Sequence, residues 1–148
     1  EIGITGQITP EWMVFGGYTY LDAVLEKAGG SGAAFGLNDG IQYPNTPKNS
    51  ASFTTNYQIL PNLNIGLGAY YMDKVFGNAS TVSATSLKYI PSYTRLDFMA
   101  TYVFTDDLRL QLNIQNLTDE YYFNQAYPTH YVSVAPGRSA TLTLNYGF

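Results

Sequence analysis

Apolar and polar residues alternate with a period of two along most of this chain. Leu108, Leu110, Leu112 and Ile114 share one parity, and Arg109, Gln111, Asn113 and Gln115 the other. Ala140, Leu142, Leu144, Tyr146 and Phe148 alternate with Ser139, Thr141, Thr143 and Asn145. The same pattern runs through Ile2 to Ile8, Ala51 to Ile59, Leu63 to Tyr71 and Leu96 to Phe104. Period two is the strand period, because successive side chains point to opposite faces. Seven strands are predicted, at about 1–9, 11–24, 50–60, 62–72, 93–104, 107–118 and 139–148. Trp12 to Ala23 has a strand composition but no clear facing. No stretch repeats apolar residues at helical spacing with caps, so no helix is predicted.

The connections alternate as well. Thr9-Pro10-Glu11, Leu60-Pro61-Asn62 and Thr105-Asp106-Asp107 are tight turns, whereas Leu25 to Asn49, Asp73 to Ser92 and Asp119 to Arg138 are long. Short turns at one end and long loops at the other are the layout of an outer-membrane barrel, and a soluble sandwich has no need of it. Several predicted strands also exceed the five or six residues common in soluble sheets. Trp12, Tyr57, Phe104, Tyr146 and Phe148 sit at the short-turn ends, and Tyr18, Tyr20, Tyr71 and Tyr93 toward the long-loop ends. Two aromatic belts around an aliphatic middle fit a lipid-facing wall.

Composition narrows the choice further. The 148 residues are 45% hydrophobic and 16% aromatic but only 12% charged, which excludes a disordered tail. The absence of Cys excludes a disulfide scaffold and thiolate metal sites. A net charge of −4 argues against nucleic acid as a partner. No apolar run reaches the ~18–20 residues of a membrane helix. Nothing at Glu1 looks like a signal segment, so the numbering is expected to begin on a mature or a cut chain.

Five segments carry a family resemblance. Gly17-Tyr18-Thr19-Tyr20-Leu21-Asp22-Ala23 and Pro47 to Ser50 resemble the late barrel of TonB-dependent siderophore receptors. Pro91, Tyr93 and Asp97 fit that family's P-x-Y-x-x-x-D strand start, and Asn113 to Tyr122 its N-x-x-N-L-x-D-x-x-Y strand exit. Ala135-Pro136-Gly137-Arg138 is similar to the segment before the last strand, in its catecholate-receptor form. The resemblance implies an all-β fold, an antiparallel transmembrane β-barrel wall. Its seven long strands would be a sector of a barrel of about 22, with residues 1–148 as the C-terminal part of the barrel domain. The family's plug domain and TonB box are not in this sequence. The implied function is uptake of ferric siderophores across the outer membrane of a Gram-negative bacterium, energised through TonB. The implied partners are the siderophore, plug, TonB, barrel assembly machinery and outer-membrane lipid. No enzyme activity and no cofactor are expected.

An odd strand count prevents closure, because the first and seventh strands would run parallel. The rival is a complete eight-stranded structural or adhesive barrel, which needs an eighth strand hidden around Ala34–Tyr43.

Few residues suggest chemistry. Leu142, Leu144, Tyr146 and Phe148 resemble the C-terminal signal read by the barrel assembly machinery, through strand addition. Tyr127, His130 and Tyr131 could stack on an aromatic, anionic chelate or simply furnish the loop. Tyr121 and Tyr122 read as rim anchors, with Arg138 paired to a wall carboxylate. His130 is the only histidine and no carboxylate cluster accompanies it, so it makes a poor metal site. Arg95, Asp97 and Arg109 read as a lumen-facing salt-bridge network. Gly29 to Gly36 lacks the Lys-Ser/Thr of a phosphate loop, and Asn78 and Asn116 begin glycosylation-like triplets of no consequence in such a membrane.

Overall fold

The structure, a computed structural model, describes residues 1–27, 40–77, 89–126 and 131–147. In chain order the strands begin β1 (Ile2–Thr9), β2 (Trp12–Tyr20), β3 (Val24–Leu25), β4 (Ile41–Gln42), β5 (Asn49–Leu60) and β6 (Leu63–Met72). They continue β7 (Val75–Phe76), β8 (Tyr89–Ile90), β9 (Tyr93–Thr105), β10 (Leu108–Gln115), β11 (Phe123–Ala126), β12 (Val132–Val134) and β13 (Ser139–Tyr146). Seven of them form one sheet in the order β1-β2-β5-β6-β9-β10-β13. Every neighbouring pair is antiparallel.

Register gives the sheet two chemically distinct faces. Reading across at one level, Val14 lies opposite Thr55, Thr55 opposite Leu67, Leu67 opposite Phe98, Phe98 opposite Ile114 and Ile114 opposite Ala140. Directly opposed residues share a face, so this apolar row lies on the face that the alternation expects to meet lipid. The same face carries Leu110 with Leu144 and Leu112 with Leu142, as the alternation predicts. The other face carries Met13, Asn56, Gly66, Met99, Asn113 and Thr141, also in one row. Pairing resolves the facing of β2. Trp12, Val14, Tyr18 and Tyr20 join the lipid row, while Phe15 and Thr19 join the lumen side.

Trp12 and Tyr57 meet edge to face at 6.4 Å, and the Trp12 indole donates to Thr55 Oγ1 at 2.6 Å. Thr55 in turn donates to Met13 O at 3.1 Å, so this lone hydroxyl in the lipid row is satisfied. Ladder irregularities fall at Gln7/Thr9, Gln58/Leu60 and Leu108/Arg109, each beside a short turn.

Two expectations need correction. The second and sixth strands were expected to reach 24 and 118, but the sheet strands stop at Tyr20 and Gln115. Asn116 stops β10 because its backbone is left-handed, at φ 54°. The long connections begin and end in short ladders, β3 with β4, β7 with β8 and β11 with β12. The expected seven-strand sheet is what the described residues form, since β4 pairs with β3 and does not bridge β1 and β13. The part of Ala34–Tyr43 before Gly40 lies outside the described residues.

Candidate functional site

Three of the five segments that carry the family resemblance meet at the long-loop end of β9, β10 and β13. Asp97 Oδ1 accepts the Asn116 backbone N–H at 2.9 Å, and Asp97 Oδ2 accepts Arg95 Nη2 at 3.0 Å. Asn116 is 1% exposed. Its side chain accepts from Glu120 N at 2.8 Å and donates to Glu120 O at 2.9 Å, closing a tight loop on itself. Asp119, also left-handed at φ 56°, accepts the Arg138 N–H at 2.8 Å. A Cβ on Gly137 would stand 3.2 Å from that same Asp119 oxygen, so glycine leaves room for the contact. Tyr93 stacks on the buried Tyr122, with ring centroids 4.1 Å apart. Asn and Asp suit both left-handed positions because their short polar side chains bond locally. The motifs thus build a rim knot.

Below the knot, the lumen face carries an aromatic and cationic patch. The Arg95 guanidinium lies 4.6 Å from the Tyr70 ring centroid, a cation–π contact. A groove of about 440 Å³ runs beside it, lined in part by Phe15, Asn56, Tyr70, Asp97 and Asn113. Gly66 and Gly68 open this groove. A Cβ on Gly66 would lie 2.6 Å from Asn56 Oδ1, and one on Gly68 3.0 Å from the Tyr70 ring. Arg95 is paired with Asp97, so the patch offers stacking and hydrogen-bonding groups with little net charge.

A second rim cluster ties β2, β5 and β6. Tyr18 Oη donates to Asn49 Oδ1 at 2.7 Å, and Asn49 Nδ2 donates to Asp73 Oδ2 at 2.9 Å. The Asn49 bond holds the Asp73 carboxyl below its ordinary range, against the opposing effect of burial and with help from the Lys74 N–H. Asp22 raises the pKa of the exposed Lys48 through a 3.3 Å ion pair.

The expected site residues are scattered. Tyr127, His130 and Phe148 lie outside the described residues. Tyr131 is exposed just before β12, and Leu142, Leu144 and Tyr146 are exposed on the lipid face of β13. Tyr122 is buried against Tyr93, while Tyr121 is exposed and meets Phe123 edge to face at 5.4 Å. Tyr93 leaves the expected lipid belt, because it lies opposite Met72 on the lumen parity.

Two arginines differ from expectation. Arg138 Nη1 donates to Leu117 O at 3.3 Å and does not pair with a wall carboxylate. Arg109 lies opposite Val103 and Asn145, near the short turn and six residues along the wall from Gln115, the neighbour of Asn116, so it cannot join Arg95 and Asp97. Tyr70 and Asn45 were missed. An aromatic sharing the polar parity with two glycines was the available signal for Tyr70. Among the described residues no group of three or more His, Cys, Asp or Glu is placed to hold a metal.

A family model, TonB dependent receptor-like, beta-barrel, matches residues 1–117. The chain belongs to this family. It is 44% identical, along its whole length, to the siderophore receptor PiuA of Acinetobacter baumannii. The crystal structure of that receptor superposes on 97% of this chain with a TM-score of 0.85, at 43% identity. The catecholate siderophore receptor Fiu of Escherichia coli K12 is 29% identical over 150 residues. A closed form of Fiu covers 99% of the chain with a TM-score of 0.77. The chain spans about a fifth of each relative, 20% of PiuA and 19% of Fiu. The fold is the β-barrel of this family, and the proteins it matches are receptors rather than structural or adhesive barrels.

Proposed function

We propose that residues 1–148 form the C-terminal sector of an outer-membrane receptor that imports ferric siderophores of the catecholate type, energised through TonB. The observation that carries this reading is the whole-length match to PiuA, a siderophore receptor, in both sequence and backbone. The match to Fiu supports the catecholate class. On this reading the seven strands are about a third of a 22-stranded wall in the outer membrane of a Gram-negative bacterium. The plug domain and the TonB contact belong to the rest of the receptor. The long hairpins face outward and capture the ligand, with Tyr127, His130 and Tyr131 as stacking residues. The chain binds and guides and catalyses nothing. Iron arrives inside its chelator, so the protein supplies no metal ligand. Leu142, Leu144, Tyr146 and Phe148 serve as the signal for the barrel assembly machinery, and an exposed apolar row on an edge strand suits that role.

The test is uptake of radioactive iron as a ferric catecholate by cells whose only siderophore receptor is the full-length protein. Uptake should need TonB. Uptake that persists without TonB overturns the energised mechanism, and import of hydroxamate but not catecholate chelates overturns the ligand class.

A further inference from the structure

Asn45 sits in the segment Tyr43-Pro44-Asn45-Thr46-Pro47, where the first outer hairpin returns toward β5. Its backbone is left-handed, at φ 52°. That conformation aims its hydrogen-bonding groups at two other hairpins. The Asn45 backbone N–H donates to Phe76 O, in β7 of the second hairpin, at 2.8 Å. The Asn45 side chain takes both backbone groups of Ala126, in β11 of the third hairpin. Nδ2 donates to Ala126 O at 2.9 Å, and Oδ1 accepts Ala126 N–H at 3.1 Å. A side-chain amide here imitates one rung of a strand ladder, across 81 residues of sequence. The second and third hairpins are also joined by packing. Val75, Ile90 and Ala126 are 2%, 1% and 2% exposed and form one apolar cluster, with Phe123 against it. These are among the most buried side chains described, and they lie beyond the sheet in its connections.

We propose that Asn45 is the clasp that joins the three outer hairpins into one body, a positioning residue through which ligand contacts on one hairpin hold the other two in place. The inference rests on the reading of these hairpins as the ligand-capturing side of the receptor. Separate long loops would each lose conformational freedom when a ligand bound across them. Hairpins already tied together have lost most of it beforehand, so more of the contact energy appears as affinity. Asparagine fits the position twice over. It tolerates the left-handed backbone, and its amide offers one donor and one acceptor to Ala126.

The test uses the full-length receptor in detergent, with spin labels at exposed positions. A Tyr43→Cys and Asn124→Cys pair reads the first hairpin against the third. A Tyr43→Cys and Tyr89→Cys pair reads the first against the second. Asn45→Gly keeps the left-handed backbone and the bond to Phe76 but removes both bonds to Ala126. It should broaden the first distance distribution, and the second less, because only the single Phe76 bond then holds the first hairpin to the other two. Asn45→Asp is isosteric but sets a carboxylate oxygen against Ala126 O, and it should broaden the same pair, which separates bond loss from glycine flexibility. Both variants should keep the heat-modifiable gel mobility of a folded barrel. Both should weaken binding of a synthetic ferric tris-catecholate about tenfold, the scale of one or two hydrogen bonds. An unchanged first distribution overturns the clasp. A broadened distribution with parental affinity overturns its part in ligand capture. If the parent receptor itself binds no ferric catecholate, the ligand reading fails, and the distance measurements still decide whether Asn45 joins the hairpins.

Discussion

Asn116 concentrates more structural obligation than any other described residue of the rim. It is buried, left-handed, and bonded through backbone and side chain to β9 and to Glu120. Asn116→Ala should destabilise the folded receptor by roughly 2–4 kcal/mol, from the two lost hydrogen bonds to the Glu120 backbone plus strain at positive φ. Asn116→Gly should cost less because it relieves the strain. A urea titration of refolding into liposomes would rank the two, and the reverse order would refute this account. Asp73 makes a prediction in pH. Its folded pKa is depressed, first by the Asn49 hydrogen bond. Its contribution is therefore complete above the unfolded carboxylate value and is lost as pH falls through the lower folded one. The Asp73 carboxyl should titrate below the ordinary aspartate range by carbon NMR, and Asn49→Ala should move the midpoint upward.

Strands were the most legible elements, because a buried or lipid-facing parity writes itself into ten residues at a time. Leu108 to Ile114 declared both its type and its facing. Short ladders did not. Val75–Phe76 and Tyr89–Ile90 are too brief for any period to register, and they pair across a gap that spacing cannot measure. The same limit hid the side-chain partners. Tyr93 and Tyr122 could be matched to motifs, yet nothing local says that their rings stack. Arg109 looked like a neighbour of Asp97 because both are polar-parity arginine and carboxylate on adjacent strands. Register then placed them at opposite ends of the wall. The facing itself can be tested. Leu112→Arg should cost about 2–4 kcal/mol in a bilayer folding titration and Gln111→Arg far less, since only the first puts charge into lipid. Equal costs would reverse the assignment of faces.

For the whole sheet, the two outer strands decide behaviour. β1 and β13 each have one paired neighbour, and both are exposed along nearly their whole length. In lipid, each unpaired backbone group costs several kcal/mol. The 148-residue polypeptide alone should therefore give no monomeric, heat-modifiable barrel in detergent or vesicles. A compact monomer whose gel mobility shifts on boiling would show that the sheet closes on itself. Orientation follows from the same topology. Cysteine at Tyr43 of the full receptor should react with an impermeant thiol reagent on intact cells, and cysteine at Asp106 should react only after the outer membrane is opened. Inverted labelling would turn the wall upside down.

The ladder irregularities at Gln7/Thr9, Gln58/Leu60 and Leu108/Arg109 impose an arithmetic on how this wall can vary. Between them and the long-loop end the ladders run without interruption, so every residue there is either odd or even with respect to lipid. Inserting one residue into that span would flip all positions beyond it, carrying leucines into the lumen and glutamines into hydrocarbon. Inserting two would lengthen the strand and keep its faces. Beside a short turn, a single extra residue can be absorbed in the existing bulge without changing any face. Viable length changes in the spanning part of this wall should come in pairs, and single-residue changes should collect at the bulges and in the outer hairpins.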